Sequence, residues 1–217
     1  MIKKVVVIAS LCLLALPLTT NAYNNGRWFN GGQYSEVNGN FVGSKTDIVT
    51  TANYPAIGNS HFTCAWTMLA DHSGINEKFA QVGFVIDNQY TYPRYFYGWA
   101  TNGRSSYKEV ISGVGPARGS THTYKIEYVS SSWEGKVDDT VIATKSISMN
   151  PGSTQNYQEN DETVFIGTSS DKLKFTNVSY KKSGGSWTKP SLSFVAEGSS
   201  SIDHSNYNSS GYWQSWK

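Results

Sequence analysis

The chain has 217 residues, of which 14% are aromatic and 16% charged, and it carries 18 Lys and Arg against 16 Asp and Glu. A balance this close to neutral excludes the strongly basic footprint of a protein that binds nucleic acid or a membrane surface. The length suits one domain with a substantial hydrophobic core.

Residues 1–22 have the pattern of a secretory signal peptide. Lys3 and Lys4 precede an apolar run over Val5–Leu18, and small residues lead up to Ala22, where we expect cleavage. The apolar run is short for a bilayer span, and no second run of that kind follows. We therefore predict a secreted protein with one domain over residues 23–217.

The rest of the chain has the alternation of β-strands, and no stretch shows sustained helical periodicity. The predicted strands are His61–Ala70, Phe79–Ile86, Arg94–Ala100, Tyr107–Ser112, Thr121–Val129, a hairpin over Trp133–Thr144, Thr163–Gly167, Leu173–Tyr180 and Leu192–Val195. Residues 23–59 are predicted to be edge strands and loops, and Ser153–Glu162 a polar loop. We expect the aromatic C-terminal tail to pack on the body. Many short strands separated by Gly, Ser and Asn predict an all-β sandwich or jelly roll.

The alternation also assigns faces to two neighbouring strands. Within Phe62–Met68, Cys64 and Trp66 share one face, which we expect to be the core face, so that Cys64 is predicted to be buried. Within Phe79–Ile86, Gln81 lies opposite the continuous apolar row. Gln81 is thus either an ordinary solvent-facing glutamine or an amide presented to a ligand.

Aromatic side chains supply one candidate ligand site. Tyr95, Tyr97 and Trp99 alternate along one predicted strand, and Trp66 lies on another. Tyr and Trp rings on a sheet can form a platform for sugars or extended peptides. The same rings can instead fill the core, and the sequence leaves both interpretations open.

Other catalytic patterns are sparse. The four histidines lack metal-ligand spacing, and the acidic clusters Asp138-Asp139 and Glu159–Glu162 lack the spaced oxygens of a calcium loop, so we predict no cofactor and no metal. Glu127 and Glu197 are the carboxylate pair to test for glycoside hydrolysis, and their settings are faintly similar to those of the two glutamates in jelly-roll xylanases.

Three segments together resemble the glutamic peptidase (eqolisin) family: Ala65–Leu69 with its tryptophan, Gln81–Phe84 with its Gln-x-Gly pattern, and the aromatic strand Tyr95–Trp99. Val164–Gly167 followed by Phe175–Val178 resembles the closing strands of that family. The resemblance covers about half of the mature chain. It implies a concanavalin-like jelly-roll β-sandwich of two antiparallel sheets and the activity of an acid peptidase.

In that family a glutamate acts as general base on water, while a glutamine amide stabilises the tetrahedral oxyanion. The resemblance implies that Gln81 is the amide and that Glu159 is the nearest candidate for the base, with Glu162 second. One hypothesis is therefore a monomeric protein that binds, and in its catalytic form hydrolyses, an extended peptide or polymer. The alternatives are a non-catalytic carbohydrate- or cell-wall-binding module and a purely structural role.

Overall fold

The computed structural model describes residues 27–37, 39–54, 57, 62–72, 76–90, 92–161, 166–168, 170–197, 203–204 and 212–216, so the predicted signal peptide lies outside the described residues. The strands are β1 Arg27–Ser35, β2 Phe41–Val49, β3 Phe62–Asp71, β4 Lys78–Asp87, β5 Arg94–Ala100, β6 Lys108–Ile111, β7 Thr121–Val129, β8 Ser132–Val137, β9 Thr140–Lys145, β10 Ser153–Asp161, β11 Leu173–Lys182, β12 Trp187–Thr188, β13 Ser193–Glu197, β14 Asp203–His204 and β15 Trp213–Trp216. A short 3-10 turn covers Arg104–Ser106. No helix in the described ranges is long and apolar enough to cross a membrane.

The strands form two antiparallel sheets that pack face to face as a jelly-roll β-sandwich, so the predicted fold class is confirmed. Sheet A has the order β13-β1-β10-β3-β4-β5-β6. Sheet B has the order β14-β15-β11-β2-β7-β8-β9, and β12 pairs with β11. The predicted hairpin is β8–β9, where Asp138 and Asp139 both have positive φ angles, as a two-residue type I′ turn requires.

The main core lies between the two sheets. Its large buried members are Leu69, Val82, Phe84 and Tyr97 from sheet A, with Tyr124, Ile126, Trp133, Phe175 and Trp213 from sheet B. Trp213 of β15 stacks on Phe175 with ring centroids 4.1 Å apart, so the described part of the aromatic C-terminal tail packs on the body as predicted.

Sheet A is also apolar on its other side, here called the outer face. Trp66, Met68, Phe79, Phe96 and Tyr157 are among the buried side chains of this second cluster. Cys64 is buried, as predicted.

The predicted face of Cys64 was wrong. Ala65 and Leu69 of β3 belong to the core between the sheets, whereas Cys64 belongs to the outer-face cluster. β3 carries apolar residues on both faces, so alternation alone could not tell which face meets sheet B. Cys64 therefore shares its face with Gln81.

Two other expectations were wrong. Residues 23–59 hold β1 and β2, which are interior strands, and the predicted polar loop is β10, which lies between β1 and β3. The residues along β10 are polar because the layer between the sheets is itself polar where β10 crosses it. Ser44 Oγ lies 2.7 Å from Thr67 Oγ1 and 2.5 Å from Thr154 Oγ1, which joins the two sheets by hydrogen bonds.

Candidate functional site

A row of aligned residues crosses the outer face of sheet A at the level of Gln81. The strand register pairs Gln81 of β4 with Met68 of β3 on one side and with Gly98 of β5 on the other. Beyond them, Met68 pairs with Gln155 of β10 and Gly98 pairs with Glu109 of β6. Directly opposed residues of an antiparallel sheet point to the same face, so these five side-chain positions share one surface.

A tyrosine hydroxyl joins Gln81 to Glu109 within this row. Gln81 Nε2 donates to Tyr107 Oη at 3.3 Å, and Tyr107 Oη donates to Glu109 Oε2 at 2.8 Å. The Tyr107 ring stacks on Phe79, with 6.1 Å between centroids and 24° between planes. Packing of the ring therefore fixes the hydroxyl between the amide and the carboxylate.

Gly98 provides the space for this bridge. A Cβ atom at residue 98 would lie 2.6 Å from Tyr107 Oη and 2.9 Å from Gln81 Nε2, both of which are shorter than a normal van der Waals contact. The glycine is thus needed where the amide and the phenol meet on the sheet surface.

The arrangement places a general base, the half-buried Glu109, and a hydrogen-bond donor, the fully buried Gln81, on one face of sheet A. A carboxylate such as Glu109 can accept a proton from water. The Gln81 amide nitrogen has two N–H groups, and one of them remains for an oxyanion after the bond to Tyr107 is made. No group of three His, Cys, Asp or Glu side chains within the described ranges could hold a metal ion.

The predicted bases lie elsewhere. Glu159 belongs to β10, as does Gln155, but its backbone pairs with Cys64, four residues along from the row. At about 3.3 Å per residue, that is about 13 Å along the strand. Glu162 lies outside the described residues. The register therefore brings Glu109, which sequence reasoning missed, into the row of Gln81, with Gly98 between them.

The aromatic strand β5 does not present an open platform. Tyr97 is fully buried in the core between the sheets, and its hydroxyl donates to the Trp133 carbonyl oxygen at 3.1 Å. Tyr95 is 9% exposed and packs edge-on against the Tyr124 ring. Trp99 is partly buried against the same core. These three rings do share a face, as predicted, but that face points to sheet B, so they cannot stack together on a ligand.

Trp66, the fourth predicted ligand-binding ring, lies on the opposite side of sheet A. It is fully buried in the outer-face cluster and meets the Tyr157 ring edge-on, with 6.1 Å between centroids and 88° between planes. Among the four predicted aromatic residues, Trp66 alone is on the face that carries Gln81.

The carboxylate pair suggested for glycoside hydrolysis is not brought together. Glu127 belongs to β7 of sheet B and Glu197 to β13 of sheet A. The Glu127 carboxylate instead accepts hydrogen bonds from Lys136 at 3.4 Å and Lys181 at 3.3 Å. Burial alone would raise the pKa of the Glu127 carboxyl. The bond from Lys181 and the positive charges of Lys125 and Lys136 outweigh burial and hold this pKa below its ordinary value, which is the opposite of what a general acid requires.

Glu127→Gln should lower the free energy of unfolding by about 1 kcal/mol near neutral pH. A folded-state pKa below the unfolded value of about 4.3 means that the ionised carboxylate stabilises the fold above that pH. This contribution is lost as the pH falls through the lowered folded-state pKa. Urea unfolding from about pH 7 to about pH 3 should therefore show a difference between variant and wild type that shrinks on acidification, and a constant difference would contradict the assignment.

No protein-family model matches the sequence, and no curated protein matches it by sequence. Solved structures do resemble the fold. A scytalido-glutamic peptidase with a transition state analog inhibitor is 12% identical, with a TM-score of 0.66 over 87% of this chain and 97% of that chain. SCP-B, a member of the eqolisin family of peptidases in complex with the tripeptide Ala-Ile-His, is 14% identical, with a TM-score of 0.59 over 87% of this chain and 96% of that chain. This likeness shows that the chain shares the β-sandwich fold of these peptidases.

Proposed function

We propose that this protein is a secreted, monomeric hydrolase of the glutamic-peptidase type, which binds an extended peptide on the outer face of sheet A. Gln81 and Glu109 carry the reaction. The observation behind the proposal is the Gln81–Tyr107–Glu109 bridge within one register row of the sheet. The likeness of fold to glutamic peptidases supports the class of reaction.

In this mechanism the Glu109 carboxylate accepts a proton from a water molecule, whose oxygen bonds to the carbon of the scissile carbonyl group. The carbonyl oxygen becomes an oxyanion and accepts a hydrogen bond from the Gln81 amide. The proton on Glu109 then passes to the leaving amide nitrogen as the C–N bond breaks. Tyr107 is a positioning residue, because its hydroxyl holds the amide and the carboxylate together.

Cleavage of casein by purified mature protein, followed from about pH 2 to about pH 7, tests the proposal. Glu109→Gln should lower the rate by a factor of about 100 to 10,000, because it removes the base. Gln81→Ala should lower it by a factor of about 100 to 1,000, because it removes the oxyanion donor. Tyr107→Phe should have a smaller effect, since it disturbs only their positions.

Two variants serve as controls. Glu127→Gln changes a carboxylate on sheet B and should leave cleavage unchanged. Glu159→Gln tests the base that the family resemblance implied, and it should also leave cleavage unchanged. Loss of activity in Glu159→Gln with normal activity in Glu109→Gln would assign the base to Glu159 instead. Absence of cleavage by the wild type, or equal cleavage by all variants, would contradict a catalytic function.

A further inference from the structure

A cavity of about 330 Å³ lies at sheet B, apart from the site around Gln81. Three of its lining residues form a directly paired row, with Lys174 of β11 between Val49 of β2 and Gln214 of β15. The residues before and after Lys174, Leu173 and Phe175, both belong to the core between the sheets. Because side chains alternate along a strand, Lys174 points away from sheet A and lines the cavity from the outward face of sheet B.

Lys174 is a half-buried cation without a partner in the fold. It makes no ion pair and no hydrogen bond with any residue that the structure describes. Asp47, two residues from Val49 along β2, is bonded to other groups, since its carboxylate accepts from Thr123 Oγ1 at 2.6 Å and from Asn177 Nδ2 at 2.7 Å. A charge that loses part of its hydration without gaining a partner destabilises the folded state.

Other lysines on the outward face of sheet B do have partners. Lys45, Lys125 and Lys136 form a paired row across β2, β7 and β8, on the same face as Val49 because Lys45 precedes Val49 by four residues. Their partners are the Trp187 ring, with its centroid 4.7 Å from Lys45 Nζ, Asp139 Oδ1, 2.5 Å from Lys125 Nζ, and Glu134 Oε2, 2.7 Å from Lys136 Nζ. The unpaired ammonium group thus coincides with the cavity.

The other charges of the cavity leave it positive. Lys172 also lines it, and Asp171 is the single carboxylate among its described lining residues, so two positive charges face one negative charge. The Asp171 carboxylate accepts from the backbone N–H groups of Ala52 at 3.2 Å and Asn53 at 3.1 Å. These bonds hold the carboxylate against the chain that follows β2, and it makes no ion pair with Lys174.

We propose that this cavity binds a small ligand through an oxyanion group, a carboxylate or a phosphate, which accepts hydrogen bonds from the Lys174 ammonium group. A lysine ammonium group is a compact charge with three N–H donors and is a common binder of such groups. Small-molecule sites in proteins have volumes of about 300–1,000 Å³, and this cavity falls within that range. The site involves neither Gln81 nor Glu109, so the inference is independent of the proposed hydrolysis.

Titration of the isotope-labelled mature chain, followed by NMR near neutral pH, tests the inference with sodium phosphate and sodium acetate as probes. Sodium chloride at matched ionic strength is the reference. Phosphate or acetate should cause saturable shifts of the backbone amide signals of Gly119, Lys172 and Lys174, and chloride should not. Comparison of the two probes shows which oxyanion the cavity prefers. Lys174→Met should weaken binding of the preferred probe by about tenfold, because it removes a charged hydrogen bond.

Lys45→Met is the matched control, since it removes the same charge from the same face of sheet B and should leave binding unchanged. Urea unfolding without the probe should show Lys174→Met to be at least as stable as the wild type, because it removes a half-buried unpaired charge. The preferred probe should then raise the urea midpoint of the wild type more than that of Lys174→Met.

These outcomes separate a built site from general attraction between charges. Absence of saturable shifts with both probes would overturn the inference, as would equal binding by Lys174→Met and the wild type. An equal response to chloride, or an equal loss of binding in Lys45→Met, would assign the effect to the overall charge of this face and would also overturn it.

Discussion

Asp87→Ala should destabilise the folded protein by about 3–5 kcal/mol, because it leaves the charge of Arg94 buried without its partner. Arg94 Nη2 lies 2.6 Å from Asp87 Oδ2, and the two side chains are only 8% and 4% exposed. The guanidinium group also lies over the Tyr90 ring, 3.4 Å from its centroid. The pair joins the end of β4 to the start of β5, the strands that carry Gln81 and Gly98.

The cost arises from the unpaired charge and not from loss of a strong attraction, and a double variant separates these causes. Asp87→Leu combined with Arg94→Met removes both charges and should remain within about 2 kcal/mol of the wild type. Glu36→Ala breaks the more exposed pair with Lys182 and should cost no more than about 1 kcal/mol. Urea midpoints at unchanged m-value measure all three. A cost below about 1 kcal/mol for Asp87→Ala would contradict the buried-pair account.

The strands with a clean apolar alternation were predictable from the sequence, and β10 was not. His61–Ala70 and Phe79–Ile86 correspond closely to β3 and β4, because each buries a continuous apolar row. On β10, Gln158 Nε2 donates to the Ile166 carbonyl oxygen at 2.9 Å inside the fold. A strand whose inward residues are polar and hydrogen-bonded has the composition of a loop, so its pattern gives no sign of burial.

Half of the candidate site could be predicted and half could not. Gln81 was identified by a local pattern, Gln-x-Gly-apolar, which needs no knowledge of neighbouring strands. Glu109 is beside it only because β4, β5 and β6 are successive antiparallel neighbours whose register places Gly98 between them. Register depends on turn lengths and on which face is buried, and a shift of one residue would move Glu109 to the other face.

The aromatic strand shows the same dependence on face assignment, and Tyr97→Ala tests it. This substitution should cost about 3–5 kcal/mol of stability, as expected for removal of a large ring from a close-packed core. The Tyr97 ring lies so close to sheet B that a Cβ atom on Gly135 would be 2.1 Å from Tyr97 Cδ2. The hydroxyl donates to the Trp133 carbonyl oxygen, so the residue links the two sheets by packing and by a hydrogen bond.

Two further variants divide that cost. Tyr97→Phe removes only the hydroxyl and should cost about 1 kcal/mol, whereas Tyr128→Ala removes a ring that is 44% exposed and should cost less than Tyr97→Ala. Thermal and urea unfolding of the three variants would establish this order. If Tyr97→Ala instead kept wild-type stability and lost retention on polysaccharide, the ring would have to face a ligand, and the orientation of β5 described above would be wrong.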